Sequence, residues 1–285
     1  MSVGYWREVI SGDLAVPADR PLDELTAELT TMLGSPDPAV RDGIAHPALS
    51  TWIARGVYDD LLAALGDGMA AGLNVGLGAH GDDTVFRRSW SARVLQEVLD
   101  RDTRERLVPG DAVLRWGDQV VTWFLRERDL RGWVEGRGWA NALPHGADAI
   151  GALARSPHLG PPELTVLLDV LADRLVGTDE QVLTPEEPDR MARAALEVLH
   201  PGTVPRSVVE PWVARIVAHA GAAHDPAAEG VHRRTANCQS FLRSLHLLVA
   251  LGPRPPSDRA DLLLLLVDAL RVSNPYHLQN PGTGE

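Results

Sequence analysis

The chain has 285 residues, 45% of them hydrophobic, and a formal charge of −12. That length buries a sizeable core without disulfide or metal staples, and the single cysteine, Cys238, excludes an internal disulfide and a cysteine-rich zinc site while fitting a reducing compartment. All 27 basic residues are arginine, which excludes a lysine Schiff base and a phosphate-loop lysine, and the acidic balance argues against an electrostatic grip on nucleic acid.

The first eight residues lack a basic stretch followed by an apolar one, so no secretory leader is expected. The most apolar run, Leu262 to Val267, lies between Asp261 and Asp268 and falls far short of the ~20 residues a bilayer crossing needs. The expectation is a cytoplasmic protein with neither membrane nor nucleic acid as partner. Heavy arginine, alanine, glycine and proline usage without lysine points to a GC-rich actinobacterial genome.

Apolar residues recur at helical spacing along the chain, and period-two alternation is nowhere sustained. In chain order, helices are predicted over about 21–33, 38–54, 57–71, 84–100, 111–128, 138–154, 162–176, 187–199, 208–220, 232–250 and 259–272. Asp37 before Pro38 and Asp111 after Gly110 are start signals, as is the capping-box spacing of Ser207 and Glu210. Gly177, Pro201-Gly202 and Gly252-Pro253 are stops. The fold class is therefore all-α, an α-α superhelix or HEAT-like array of about eleven helices forming one domain over 1–285, with the loop at 178–188 as the best candidate seam. Phe86-Arg87-Arg88-Ser89-Trp90 and Phe241-Leu242-Arg243-Ser244-Leu245 share a pattern that either chance or two related halves would produce.

Chemistry concentrates between residues 126 and 148, where acids, arginines, Trp133, Trp139 and His145 follow one another. On a helix beginning near Gly138, Asn141, His145 and Asp148 would share a face. With Glu127 or Asp129 supplying a second carboxylate, His145 and Asp148 would form an acid–base set; the plainer alternative is that His145 and Asp148 tie helices together. Pro144 removes a backbone donor and should leave the carbonyl near Ala140 free. Arg88, Arg131 and Arg243 are candidate anion clamps, or else bridges to Glu127, Asp129 or Asp42. Trp90, Trp133 and Trp139 are candidate pocket walls, although most of the eight tryptophans should be core.

His46, His80, His158, His200, His219, His224 and His232 read as solvated or capping groups at turns and helix ends. His219, His224 and Asp225 lack the helical His pair of a zinc protease. Phosphate loops, nucleophile elbows and paired-cysteine zinc motifs are absent from the sequence.

Taken together, Arg41-Asp42-Gly43-Ile44-Ala45 with Trp52-Ile53, Phe86-Arg87-Arg88-Ser89, Glu127-Arg128-Asp129-Leu130-Arg131-Gly132, Gly138-Trp139-Ala140-Asn141-Ala142, His145-Gly146-Ala147-Asp148, and Asn237 with Phe241-Leu242-Arg243-Ser244-Leu245 resemble a bacterial domain-of-unknown-function family, number 2785. The resemblance implies an all-helical fold and no established activity. It also implies a departure: the position of Asn141 is more usually histidine in the family, giving His-x-x-x-His-x-x-Asp, a ligand set for a divalent metal. Asparagine weakens that metal reading here, so no cofactor is expected.

The leading expectation is a small-molecule enzyme of specialised metabolism, of hydrolase, lyase or cyclase type without a nucleotide cofactor. Glu127, Asp129, His145 and Asp148 would be its catalytic groups, and Arg88, Arg131, Trp133, Trp139, Asn141 and Arg243 would hold the substrate. The alternative is a noncatalytic helical-repeat scaffold for a peptide or protein partner.

Overall fold

Asp37 starts its helix as its position suggests: its carboxylate accepts from the Ala39 N–H at 2.9 Å, and Pro38 sits where the first turn needs no donor. A computed structural model describes residues 3–184, 186–200, 202–220 and 230–278, with the backbone alone at 276 and 277. His224 and Asp225 lie outside the described residues, as do Pro201 of the predicted stop and Pro185 of the 178–188 loop.

The chain is mostly helical. In order it forms α1 (Val3–Ser11), α2 (Leu22–Met32), α3 (Pro38–Val40), a π-helical turn (Arg41–Ala45), α4 (His46–Ala54), a 3-10 turn (Asp59–Leu61), α5 (Leu62–Gly72), α6 (Thr84–Glu105) and α7 (Gly110–Arg126). A hairpin of β1 (Trp133–Val134) and β2 (Gly138–Trp139) follows, then α8 (Ala142–Arg155), α9 (Pro161–Gly177), α10 (Glu186–Leu199), α11 (Arg206–Ala220), α12 (Val231–Leu251), α13 (Arg259–Ser273) and α14 (Pro275–Leu278). No described helix is long and apolar enough to cross a membrane. Tertiary contacts divide the chain into Met1–His158 and Leu159–Glu285. The 178–188 loop lies inside the second unit.

In the first unit α6 is the central element. Every residue from Val85 to Leu95 except Arg87 and Arg93 is buried, so this helix is wrapped rather than half-solvated. Small residues let its neighbours approach: a side chain at Gly72 of α5 would run into Ser91, and one at Gly146 of α8 would run into the Phe124 ring. Trp6, Trp52, Trp116 and Trp123 fill the space between helices, each with its indole N–H satisfied by an acid or a carbonyl.

The second unit packs α10, α11 and α13 against α12. Trp212 donates to the Leu168 carbonyl at 2.8 Å and meets Phe241 edge to face. Asn237 fixes the loop after α9, accepting from Leu183 N at 2.8 Å and donating to the Thr178 and Gln181 carbonyls. The Ser207–Glu210 capping box does not form: α11 already starts at Arg206, and Glu210 bonds the Arg206 side chain one turn away.

Candidate functional site

The candidate residues are brought together by α6, the end of α7, the hairpin and the start of α8, all in the first unit except Arg243. Arg88 and Glu127 make a two-pronged ion pair, Nε to Oε2 at 2.5 Å and Nη2 to Oε1 at 2.9 Å, with both side chains essentially inaccessible. The remaining Arg88 nitrogen, Nη1, donates to the Val75 and Gly76 carbonyls at 2.9 Å and to Thr84 Oγ1 at 2.7 Å. Glu127 also accepts from Trp123 Nε1 and from the Asp129 N–H, both at 2.9 Å. A buried guanidinium needs a counter-charge and acceptors for all its donors, and this one has both.

Asp129 and Arg131 repeat the arrangement nearer the surface. Arg131 Nε and Nη2 lie 2.8 and 2.6 Å from the two Asp129 oxygens, and Gly81 N donates to Oδ2 at 2.9 Å. Burial pushes the Asp129 pKa up, but the Arg131 and Gly81 hydrogen bonds outweigh it and hold the carboxyl below the usual range. Arg131 reaches on to the Asp82 carbonyl at 2.7 Å, so the two clasps bind the loop after α7 to the loop before α6.

His145 is buried beside Ser89, Nδ1 to Oγ at 2.9 Å. The Ser89 hydroxyl donates to the Ala140 carbonyl, which leaves Oγ as acceptor of the His145 Nδ1 proton. Ala140 lies before the first turn of its helix, where Asn141 is the first carbonyl to accept a helical N–H, and Ser89 supplies the donor for the Ala140 carbonyl. A serine whose proton is committed to a carbonyl is not primed by the imidazole as a nucleophile. Asp148, one turn further along α8, faces Arg93 of α6 at 4.0 Å.

The helix carrying these groups begins at Ala142, later than predicted. Asn141 precedes it in left-handed backbone (φ 54°), so it is not on the face of His145 and Asp148. Asparagine tolerates that region better than most residues. The predicted His-x-x-x-His-x-x-Asp face therefore has no helical first position, and among the described residues no three His, Cys, Asp or Glu side chains gather as a metal-ligand set.

Trp133 and Trp139 face each other directly across the hairpin, ring centroids 5.3 Å apart and planes at 77°, and are 58% and 43% exposed. The turn bonds Arg137 N to the Val134 carbonyl, with Gly136 at φ 71° where a side chain would be strained. The hairpin is held from beneath by Arg41 Nη2 on the Arg137 carbonyl at 2.8 Å and by Trp90 Nε1 on the Trp139 carbonyl at 3.3 Å. Arg243, in the second unit, is exposed and bonds Gln239 and Asn274.

One cluster escaped the sequence reading. Arg41, on the π-turn, is buried over the Phe86 ring at 4.2 Å and pairs with Asp42 at 2.7 Å. Burial lowers the Arg41 pKa and raises that of Asp42, the ion pair opposing both. His46, read from sequence as a solvated end group, lies 3.0 Å from Glu97 with its side chain 19% exposed. Trp90 is flanked edge to face by His46 and His145, each at 5.1 Å. The available signal was the interrupted helix around Gly43 and Pro47, since π-turns recur at functional sites.

These features define an all-helical protein whose polar interior is organised by arginine–carboxylate clasps beneath an aromatic hairpin. The family model described as "Protein of unknown function (DUF2785)" matches residues 73–247, and the chain belongs to that family. No curated protein and no solved structure matches the chain.

Proposed function

We propose that this protein is a noncatalytic binding module, a HEAT-like helical array working in the cytoplasm, that docks a basic segment of a protein partner on its hairpin. The observation that carries this reading is the pair of solvent-facing tryptophans on a braced two-stranded turn. Tryptophan is the residue most enriched at binding hot spots, and an exposed, rigid pair is a surface awaiting cover. Charge favours a basic occupant: the chain carries −12, Arg131 and Arg137 beside the rings are engaged by Asp129 and Asp83, and exposed Glu135 stands between the two strands. Arginine or lysine over an indole face adds cation–π attraction.

The test is fluorescence binding of arginine- and lysine-rich peptides against acidic peptides of equal length, on wild type and on Trp133→Ala/Trp139→Ala. Basic peptides should bind selectively, and the double variant should lose at least about tenfold in affinity while keeping its helical circular dichroism. Equal binding of acidic peptides, or undiminished binding by the variant, refutes the reading.

A second reading, a small-molecule enzyme of actinobacterial specialised metabolism, draws support from His46 and Glu97, an imidazole and carboxylate in contact at partial exposure. A turnover lost in His46→Gln and retained in Trp133→Ala/Trp139→Ala would favour it over the docking reading.

A further inference from the structure

A cleft of about 310 Å³ opens between α2 and α5, upstream of the residues the family model matches and separate from the hairpin. Its floor is carbon, with Leu65 and Met69 buried, and Leu61, 47% exposed, stands at its rim. Three hydroxyl-bearing residues, Thr26, Thr30 and Tyr58, and one charge interrupt this lining. Thr26 donates to the Leu22 carbonyl at 2.7 Å, so its single proton is spent and Tyr58, 2.9 Å away, must donate to it. The Thr26 and Tyr58 hydroxyls therefore keep acceptor capacity. Among the described residues, the charged group in the lining is the Asp23 carboxylate.

Gly68 lies in the same lining. Glycine within a helix is unfavourable, and the other glycines of α5 have packing reasons: a side chain at Gly66 would strike Trp116, and one at Gly72 would strike Ser91. At Gly68 an added Cβ would meet nothing within 4 Å. No neighbour requires the glycine, which is exposed at the lining of the cleft, so a larger side chain there would reach into it.

We infer that the α2–α5 cleft is a small-molecule site for a protonated amine with a compact apolar body. The volume fits: a cavity of about 150 Å³ takes a benzene ring, and twice that takes a ring with a short tail. The charge selects the head group: Asp23 is a carboxylate, and Thr26 and Tyr58 hold spare acceptor lone pairs, which favours an ammonium over a carboxylate. Burial pushes the Tyr58 phenol up to about 12, so it stays neutral at working pH.

The experiment uses the full chain with phenethylamine, its uncharged counterpart phenethyl alcohol and the anionic hydrocinnamate, read by calorimetry and thermal shift. Phenethylamine should bind and raise the Tm, with hydrocinnamate at least about tenfold weaker. Gly68→Leu should abolish binding with no fall in the ligand-free Tm, since leucine is the better helix former and residue 68 is exposed, with nothing within 4 Å of an added Cβ. Asp23→Asn should erase the preference for amine over alcohol. The inference is overturned if no amine binds wild type, if hydrocinnamate binds as well, if Gly68→Leu binds undiminished, or if wild type dimerises and Gly68→Leu is monomeric, which would make a second copy the occupant.

Discussion

Replacing Glu127 with glutamine keeps its shape and removes its charge, and the structure sets the size of the effect. Four donors converge on the carboxylate: Arg88 Nε and Nη2, Trp123 Nε1 and Asp129 N, at 2.5 to 2.9 Å. The amide oxygen can accept from two of them, while the amide N–H groups must face the others. Arg88 would remain charged at a position with no solvent access. Breaking a buried pair in this way costs about 3–5 kcal/mol. At roughly 2–4 °C per kcal/mol for a unit of this size, the transition of the first unit should fall by about 6–20 °C. Every tryptophan except Trp212 precedes residue 159, so indole fluorescence in a urea titration follows mainly that unit. A double-mutant cycle with Arg88→Met should give a coupling of about 2 kcal/mol or more. A loss under about 1 kcal/mol for Glu127→Gln would refute the clasp as a stabilising element.

Gly146→Ala should destabilise the protein by about 1–3 kcal/mol in chemical denaturation, because the added methyl meets the Phe124 ring at the packed face of α8. The Asp129 pKa is lower folded than unfolded, so its contribution is present above the unfolded value, near ~3.9, and lost as pH falls through the folded value. The stability gap between wild type and Asp129→Asn, followed by urea midpoints from neutral pH downwards, should therefore narrow on acidification below about pH 5; a gap independent of pH refutes the assignment. Asn141→Gly should change stability by only a few tenths of a kcal/mol while Asn141→Val loses about 1–2, given the left-handed backbone. Asn141→His should gain less than about tenfold in zinc affinity by calorimetry, since residue 141 lies off the helical face of His145 and Asp148.

The helices were legible because each buries a stripe, and a stripe has a period. The predicted 162–176, 187–199 and 259–272 lie within a residue or two of Pro161–Gly177, Glu186–Leu199 and Arg259–Ser273. What stayed hidden was structure too short to show a period or built by distant partners. Two-residue strands carry no alternation, and α1, nine residues with a single Trp6–Val9 stripe, offers little more. The start of α8 was placed too early because Gly138 and Trp139 read as helix, when they are the second strand and Asn141 turns the chain in left-handed backbone. For the site, the expectation of a free carbonyl near Ala140 could not name Ser89 as the donor 51 residues away that satisfies it. His46 does stand at a helix end, as the first residue of α4, but its partner Glu97 comes from α6, and nothing local to His46 announces it.

The absence of lysine sharpens the functional argument. With arginine as the only strong cation, every buried positive charge brings a five-donor fork that must be satisfied. Arg41 and Arg88 each pair with a carboxylate and bond loop carbonyls: nearby Ser35 and distant Arg137 for Arg41, Val75 and Gly76 for Arg88. Glu127 with Arg88, and Asp129 with Arg131, thus fix irregular segments to the helices. The two surfaces proposed for recognition take no part in these ion pairs: the exposed indoles stand on the hairpin that Arg41 braces, and the lining of the α2–α5 cleft includes neither Arg41 nor Arg88.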